Sequence, residues 1–526
     1  MTVASHSRAV VARPRHLENL PHLARQVAAE GRETIEVRSP LDLELVGEVP
    51  RSTPADVARA AERARVLQED WRQRSFEERG KIFLKFHDRL LERQDEILDL
   101  IQLESGKARL HAYEEVADTA IVARFYAVHA ARFLAPAPRK GAVPGLTQTW
   151  EYRHPKGLVG VVAPWNYPLS MGVTDAIPAL LAGNGVVAKP DSQTPFSTLW
   201  ALDLLHECGL PEGLWGIVCG AGSKLGPALF DAVDFVQFTG STATGRHVAR
   251  EAGGRLIGCS LELGGKNPML VLADADLGLA VAGAVRGSFA SAGQLCVSTE
   301  RVYVLESLHE RFLREFAAAT RALRLGVRLD WSYDVGSLAS AEQLARIEAH
   351  VADAVAKGAT VEAGGRRRPE IGPFVYEPTV LSGVTPEMEL HSEETFGPVV
   401  SVYPVASNHE AIERANDSPY GLNASVWSRD TELARRMATR LQAGTVTINE
   451  TYVAGWASTE APMGGFKDSG LGRRHGSEGI LKYTEGQNVT VQRGLPIAPP
   501  KGVPAEAFAR WFTGALKAVK RVPGIR

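Results

Sequence analysis

The feature that most constrains the fold is an alternation of short apolar strands with helices, which begins at Leu158. The strands lack the polar alternation of a half-exposed sheet, and this is typical of a parallel sheet with helices on both faces. Such a sheet binds its ligand at the carboxyl ends of its strands. The predicted strands are Leu158–Ala163, Gly185–Lys189, Trp215–Cys219 and Phe235–Phe238, and the predicted helices are Leu169–Ala182, Phe196–Cys208, Ser223–Phe230 and Thr242–Ala252.

A second α/β region is predicted between Asn267 and Asn449. At 526 residues the chain is too long for one hydrophobic core, so several packed units are expected. Two polar, β-prone stretches lie outside both α/β regions and are predicted to form a small separate sheet. The ranges are Asp56–Arg132 for a helical region, Arg301–Val304, Val399–Val405 and Gly444–Ile448 for strands of the second region, and Gln148–His154 and Gln487–Gln492 for the small sheet.

Charge, hydropathy and cysteine content exclude several classes of protein. The net charge of −2 gives no overall field toward nucleic acid or anionic lipid. The apolar runs are too short to span a bilayer. The cysteines Cys208, Cys219, Cys259 and Cys296 show neither metal-ligand spacing nor a disulfide framework. We therefore expect no metal, no nucleic-acid partner, no membrane span and a cytoplasmic protein.

Both ends of the chain leave alternatives open. Arg8, Arg13 and Arg15 lie in a stretch without acids or an apolar core, which excludes a secretory signal. That stretch fits either a transit peptide or, preferably, a frayed arm. Residues Ala505–Val522 mix aromatic and basic side chains at helical spacing. A helix that packs on the body or on a partner subunit is favoured there over a membrane-surface helix.

Two residues are candidates for catalysis: Cys296, in S-A-G-Q-L-C-V, and Glu262, in S-L-E-L-G-G-K. A cysteine close to backbone N–H groups can act as a thiolate nucleophile, although a buried structural cysteine fits the pattern as well. An acid that ends a buried strand is unusual, because a carboxylate there needs a partner, water or a proton. Glu262 is therefore either a general base with a raised pKa or the partner of Lys266 in a salt bridge.

Three further motifs close strands of the first sheet. The segment F-T-G-S-T-A-T-G, with Gly240, Ser241 and Gly245, predicts a turn and a helix N-terminus that binds phosphate, or else a plain capped helix. Asn166, in A-P-W-N-Y-P, is placed to donate a hydrogen bond to an oxyanion. Lys189, in V-V-A-K-P-D-S, is placed to bind ribose hydroxyls or a 2′-phosphate.

Taken in order, these and other segments resemble the aldehyde dehydrogenase superfamily, and the resemblance extends from about Pro40 to Glu485. The likeness is closest to the branch of NADP-preferring succinate-semialdehyde dehydrogenases, through K-P-D-S-Q-T-P and the long C-terminal tail. The segments are P-W-N-Y-P, K-P-D-S-Q-T-P, F-T-G-S-T-A-T-G, L-E-L-G-G-K, G-Q-L-C, E-E-T-F-G-P-V and P-M-G-G-F-K-D-S-G-L-G-R.

The resemblance implies a covalent mechanism of aldehyde oxidation. The Cys296 thiolate would attack the aldehyde, and the Asn166 amide and the Cys296 N–H would hold the hemithioacetal oxyanion. After hydride transfer to the cofactor, Glu262 would activate the water that hydrolyses the acyl-thioester. A CoA-acylating relative would lack the Glu262 base, and a cysteine hydrolase would need a histidine near Cys296. A non-catalytic structural protein on the same fold is the remote alternative.

The resemblance also implies a cofactor, NADP⁺, with NAD⁺ as the alternative. Relatives that prefer NAD⁺ often carry glutamate where this chain has Ser192, and a carboxylate there repels a 2′-phosphate. The implied cofactor residues are Trp165, Gly240, Ser241 and Gly245 near the pyrophosphate, Lys189 and Ser192 near the adenosine ribose, and Leu263, Glu394 and Phe396 near the nicotinamide.

The implied substrate is succinate semialdehyde, with a neutral aliphatic or aromatic aldehyde as the alternative. Tyr167, Trp456 and Ser458 are expected to line the substrate tunnel. Some succinate-semialdehyde dehydrogenases bind the substrate carboxylate with two arginines, at places where this chain has Ala290 and Thr174. The carboxylate would therefore need other donors.

For the fold, the resemblance implies an α/β protein with three parts. These are a Rossmann-type cofactor domain at residues 1–138 and 157–263, an α/β catalytic domain at 264–484, and a small oligomerisation sheet with the C-terminal tail at 139–156 and 485–526. A homodimer or a homotetramer is expected.

Overall fold

The computed structural model describes residues 11–143, 146–494 and 496–520. The chain forms two compact units. The larger unit, here called the body, comprises Met1–Phe133 and Pro155–Glu485, and the smaller, here called the tail unit, comprises Leu134–His154 and Gly486–Arg526. The predicted N-terminal arm or transit peptide falls mainly on residues 1–10, which lie outside the described residues.

The first α/β region of the body contains the predicted parallel sheet. Its six strands lie in the order Gly470–Leu471, Gly258–Glu262, Phe235–Thr239, Leu158–Val162, Gly185–Lys189 and Trp215–Ile217. All neighbours are parallel except the short edge strand, which is antiparallel to Gly258–Glu262. The chain proceeds from Leu158–Val162 toward one edge and then returns to its other side, which creates a topological switch point beside Phe235–Thr239.

Helices cover this sheet, and side-chain caps define where several of them begin. Thr53 with Asp56 and Ser75 with Glu78 form capping boxes, which satisfy backbone N–H groups that a helix leaves free. The helices of this region are Leu20–Ala24, Pro54–Trp71, Phe76–Glu92, Gln94–Ser105, Arg109–Leu134, Pro168–Val173, Ala176–Leu181, Pro195–Cys208, Gly222–Ala232 and Thr242–Gly254, and a hairpin joins Thr34–Arg38 to Leu45–Pro50.

The predicted helix Leu169–Ala182 is divided into two short helices, Pro168–Val173 and Ala176–Leu181. Pro178 accounts for the break, because it has no N–H to donate to the Thr174 carbonyl and its ring would clash with that carbonyl in a continuous helix. At the break the Thr174 hydroxyl donates to the Ser170 carbonyl at 2.8 Å, and the Asp175 carboxylate pairs with buried Arg474.

The second predicted α/β region is a seven-stranded sheet with its own apolar core. Its neighbours are parallel except the antiparallel edge strand Thr360–Ala363. The strands lie in the order Thr360–Ala363, Thr379–Ser382, Val399–Val405, Thr299–Leu305, Asn267–Val271, Asn423–Trp427 and Thr445–Ile448, and its helices include Leu277–Phe289, Glu306–Arg321, Ala341–Ala356, Asn408–Asn416 and Thr431–Ala438.

The tail unit contains the predicted small sheet and a helix. Thr484–Gln492, Thr147–Pro155 and Ala137–Arg139 lie side by side, so the sheet has a third strand beyond the two that were predicted. The helix Ala505–Val519 follows. Among the described residues, no helix is long and apolar enough to cross a bilayer, and no group of histidine, cysteine and acidic side chains is placed to hold a metal ion.

One buried ion pair connects the helical region to the first sheet. The Lys107 ammonium donates to the Glu115 carboxylate at 2.6 Å, and both side chains are almost inaccessible to solvent. Glu115 also accepts the N–H groups of Leu169 and Ser170, which begin the helix Pro168–Val173. Lys107 in turn donates to the backbone carbonyl of Asn166 at 2.5 Å.

Replacement of Lys107 by methionine should destabilise the fold strongly, because it leaves the Glu115 carboxylate buried without its cation. Loss of one partner of a buried pair typically costs about 3–5 kcal/mol. The urea midpoint of unfolding measures the effect. The matched control is Lys81→Met, which breaks the exposed pair with Glu77 and should leave the midpoint unchanged. Equal midpoints for both variants would contradict the argument.

Candidate active site

The predicted site residues converge on one cavity of about 310 Å³ at the carboxyl ends of the strands in the first sheet. Its lining includes residues that lie almost three hundred positions apart in the chain. The predicted residues that line it are Trp165, Asn166, Tyr167, Gly240, Ser241, Glu262, Leu263, Cys296, Glu394, Phe396 and Trp456. The switch point of a parallel sheet is the expected place for such a cavity.

Cys296 lies on a tight turn after the helix Leu277–Phe289. Between the two, Ser291, Ala292 and Gly293 adopt positive φ angles of 52°, 54° and 71°. Non-glycine residues in this region are strained and are held only by their surroundings. Here the close approach of Gly293 to the Gly397 backbone fixes the turn, since an added Cβ would lie 2.0 Å from the Gly397 oxygen.

The Cys296 thiol holds its proton in this structure. Burial, together with the nearby carboxyl groups of Glu394 and Glu262, raises its pKa to about 12. The N–H of Cys296 itself acts in the opposite direction. Because a thiolate is the reactive form, the thiol needs a nearby base or an added positive charge before it attacks a substrate.

Glu262 is the last residue of the strand Gly258–Glu262, and its carboxyl oxygen Oε1 is buried without a hydrogen-bond partner. Burial raises the pKa of Glu262 to about 7, although Arg474 and Lys482 lower it. The salt bridge to Lys266 that the sequence allowed does not form, because the Lys266 ammonium lies 2.5 Å from Glu300. A free carboxyl group with a pKa near neutrality is suited to a general base.

Asn166 places its side-chain amide beside the Cys296 turn. Its Nδ2 donates to the Gln294 carbonyl at 2.9 Å, which leaves the second N–H of that nitrogen for another acceptor. Its backbone carbonyl accepts the buried Lys107 ammonium. Asn166 is therefore held in place by one hydrogen bond on its side chain and one on its backbone, as a preorganised oxyanion donor requires.

Next to the thiol, the cavity is lined by groups of the kind that bind a dinucleotide. Ser241 caps the helix Thr242–Gly254, whose first turn presents N–H groups suited to a phosphate. Glu394 accepts the Gly265 N–H at 2.8 Å, and burial raises its pKa to about 8. The Trp165 and Phe396 rings meet edge to face with centroids 5.5 Å apart. These groups fit a pyrophosphate, a ribose and a flat ring.

Four predicted residues lie outside the lining of this cavity. Gly245 packs its helix against the sheet, since an added Cβ would lie 2.3 Å from the Leu263 side chain. Lys189 ends the strand Gly185–Lys189 and lies beside Gly222, at the start of the helix Gly222–Ala232, and Ser192 follows three residues later in the chain. Ser458 is exposed and donates to the Ala454 carbonyl at 2.6 Å, so the structure does not place it in the predicted tunnel.

A second cavity of about 210 Å³ shares Tyr167, Leu295 and Trp456 with the first. Its wall is almost entirely apolar and aromatic, and among the described residues no lysine or arginine lines it. The remaining lining residues are Tyr113, Glu114, Ala117, Asp118, Ile121, Ser170, Tyr452, Val453 and Ala457. Two of the three residues expected to line a substrate tunnel, Tyr167 and Trp456, therefore lie in its wall.

Glu114 and Asp118, the two acids in the wall of this cavity, accept hydrogen bonds from the tyrosine and tryptophan donors around them. Tyr167 and Tyr452 donate to Glu114 at 3.1 Å and 3.0 Å, and the Trp456 indole donates to Asp118 at 2.6 Å. Burial raises the pKa of Glu114 and raises that of Asp118 to about 6. Neither acid was among the site residues predicted from the sequence. Their spacing of four residues on one helix was the available signal.

A thiol and a free carboxyl group line one cavity at the switch point of a parallel sheet, beside groups that fit a dinucleotide. This arrangement is typical of an enzyme that works by covalent catalysis. The model of the aldehyde dehydrogenase family matches residues 27–489 of the chain. The chain therefore belongs to the aldehyde dehydrogenase family.

Individual relatives agree with this assignment. A Mycolicibacterium smegmatis protein named "Putative succinate-semialdehyde dehydrogenase [NADP(+)]" is 50% identical over 476 residues, which cover 90% of this chain and 92% of that protein. The NAD⁺ complex of betaine aldehyde dehydrogenase from Staphylococcus aureus is 34% identical, with a TM-score of 0.84 over 89% of this chain and 94% of that one. An NADP-dependent enzyme from E. coli is 33% identical, with a TM-score of 0.85 over 89% and 96%.

The Glu262→Gln variant should form the acyl-thioester and fail to hydrolyse it, since an amide cannot take a proton from water. We expect rapid mixing to show a burst of reduced cofactor close to one per active site, followed by turnover about 10²–10⁴ times slower than in the native enzyme. Glu393→Gln, at an exposed neighbour outside the cavity lining, is the matched control and should turn over normally.

The pH profile gives a second measurement on Glu262. Its carboxyl group acts as a base only when deprotonated, so hydrolysis should rise with pH, bend near the pKa of about 7 and then level off. Below the bend the rate should fall about tenfold per pH unit. A profile that is flat through pH 7, or a Gln variant without a burst, would assign the base to another residue.

Proposed function

We propose that the chain oxidises an aldehyde to a carboxylic acid with NADP⁺, through an acyl-thioester on Cys296. The observation that carries this proposal is the free, buried Glu262 carboxyl group in the same cavity as the thiol. A bound nicotinamide would supply the hydride acceptor. Trp165, Ser241, Glu394 and Phe396 would hold that end of the cofactor, and Lys189 and Ser192 its adenosine end.

The residues of the chain would account for the other steps. The Cys296 thiol would release its proton to solvent when the positive charge of a bound nicotinamide eases its ionisation, and its sulfur then forms a bond to the aldehyde carbon. Asn166 and the Cys296 N–H donate to the oxygen. Once the carbon is oxidised, Glu262 takes a proton from water, the hydroxide adds to the thioester, and the C–S bond breaks. One water is consumed and one acid is released for each aldehyde.

A preference for NADP⁺ is supported by the chemistry around the strand end at Lys189. The Lys189 ammonium, the Ser192 hydroxyl and the N-terminus of the helix Gly222–Ala232 all favour an additional phosphate. The name of the Mycolicibacterium relative also specifies NADP⁺. NAD⁺ would bind with fewer contacts at the same place.

The Ser192→Glu variant should therefore reverse the preference. A carboxylate there would repel the 2′-phosphate and accept the ribose hydroxyl of NAD⁺, and we expect the ratio of kcat/KM for NADP⁺ to that for NAD⁺ to fall about 10²-fold or more. Gln193→Glu, an equal charge change at an exposed neighbour, is the control. A ratio that moves equally in both variants would mean that Ser192 does not face the 2′ position.

For the substrate, the second cavity favours a neutral, largely apolar aldehyde. A carboxylate on the substrate would lack a cation, and the Tyr and Trp donors of the wall are already bonded to Glu114 and Asp118. The cations around this cavity are already paired: Lys107, 3.6 Å from the centre of the Tyr167 ring, pairs with Glu115, and half-exposed Arg286 pairs with Glu450. Burying a charge without a partner is costly, so an anionic tail is disfavoured.

Succinate semialdehyde is the second candidate, because several mycobacterial relatives at 47–50% identity carry that substrate in their names. Formation of reduced cofactor with succinate semialdehyde, butanal and benzaldehyde, each with NADP⁺, separates the two candidates. The first candidate predicts that kcat/KM for butanal exceeds that for succinate semialdehyde by about tenfold or more. The opposite order would leave succinate semialdehyde as the substrate.

We further propose a cytoplasmic location and a homodimer or homotetramer. The location is supported by the four free cysteines and by the lack of metal-ligand groups among the described residues. The assembly is supported by the strands of the tail unit, whose outward side chains include exposed Trp150, Val489 and Val491.

A further inference from the structure

The helix Ala505–Val519 has two chemically distinct faces, and no side chain on it is buried. Phe508, Trp511, Phe512, Ala515, Leu516 and Val519 recur at three- and four-residue spacing and share one face. Arg510, Lys517 and Lys520 lie on the opposite face, where Glu506 is the single acid and pairs with Arg510. The helix also begins after the last residue of the family match, which is residue 489.

The apolar face is open rather than packed. It borders a groove of about 740 Å³, whose other wall is formed by Val143, Leu146 and Ile497 of the same unit. Trp511 is 68% exposed and Leu516 is 58% exposed, while Phe508 and Phe512 are only partly covered. An open apolar surface of this size marks an interaction site.

The charge of the tail unit identifies the kind of partner. Its described residues contain eight lysines and arginines against two acids, although the whole chain has a net charge of −2. A second tail unit would carry the same excess of six positive charges (eight minus two) and would therefore repel the first. An anionic surface that also offers hydrocarbon would instead satisfy the charge and the open groove at the same time.

We propose that the helix Ala505–Val519 binds the surface of an anionic phospholipid bilayer. The helix lies in the plane of the interface, with Trp511, Leu516 and Val519 among the acyl chains and Arg510, Lys517 and Lys520 at the lipid phosphates. An aromatic, apolar face opposite a basic face is the composition of such interfacial helices. The binding is peripheral and reversible, and it leaves the active site in the body unchanged.

The test is co-sedimentation of the full-length enzyme with vesicles of phosphatidylglycerol and phosphatidylcholine, compared with vesicles of phosphatidylcholine alone. We expect binding to the anionic vesicles only, and release at high salt, which screens surface charge. Trp511→Ala should lower the partition coefficient at least about tenfold, since it removes a large inserted side chain. The triple variant Arg510→Gln, Lys517→Gln, Lys520→Gln should lower it by about fivefold per residue.

The matched control is Trp331→Ala, which removes a tryptophan of similar exposure, 55%, from the body and should bind like the native enzyme. Dehydrogenase activity and molar mass in solution, measured on every variant, show whether fold and assembly are intact. Absence of binding to anionic vesicles, or equal binding by the native enzyme and Trp511→Ala, would overturn the proposal. A fall in molar mass for Trp511→Ala without vesicle binding would instead assign the helix to a second copy of the chain.

Discussion

The buried contact between Lys107 and Glu115 organises much of the active site. Glu115 holds the first N–H groups of the helix Pro168–Val173, and Lys107 holds the Asn166 carbonyl. The Lys107 ammonium also lies 3.6 Å from the centre of the Tyr167 ring. One ion pair therefore fixes the positions of Asn166, the proposed oxyanion donor, and of Tyr167, in the wall of the proposed substrate cavity. The long helix Arg109–Leu134 supplies its acid, so this helix is part of the active-site framework.

The Cys296 thiol and the carboxyl groups of Glu262 and Glu394 are buried in one cavity. Burial raises the pKa of Glu262 to about 7 and that of Glu394 to about 8, and burial together with these two carboxyl groups raises the pKa of Cys296 to about 12. A positive charge that entered the cavity would make each group ionise more easily. An oxidised nicotinamide ring carries such a charge, so binding of the proposed cofactor would favour release of the proton from the thiol.

The sequence predicted those parts of the fold that depend on local patterns. Strand Val399–Val405 was predicted with its observed bounds because five of its seven residues, in V-V-S-V-Y-P-V, are valine or tyrosine, which are typical of a buried strand. The ordered family motifs likewise predicted the meeting of Asn166, Glu262 and Cys296. Contacts between distant segments had no such signal. Lys266 pairs with Glu300 rather than Glu262, and Glu114 bonds to Tyr452 more than three hundred residues away. Ser458, expected in the substrate tunnel, instead follows the helix Val453–Ala457 and donates to the Ala454 carbonyl, a local bond that no sequence motif indicated.

The net charge of the whole chain hides the separate charges of the tail unit and the body. A net charge of −2 indicated no attraction to anionic lipid, yet it is the sum of a basic tail unit and an acidic body. At physiological ionic strength the Debye length is about 8 Å, so a surface responds to its local charges and not to the distant remainder of the molecule. The relevant quantity is therefore the charge of each unit. Judged by their own charges, the basic tail unit and the acidic body attract different partners. The residues of the catalytic fold do not determine what the tail unit binds.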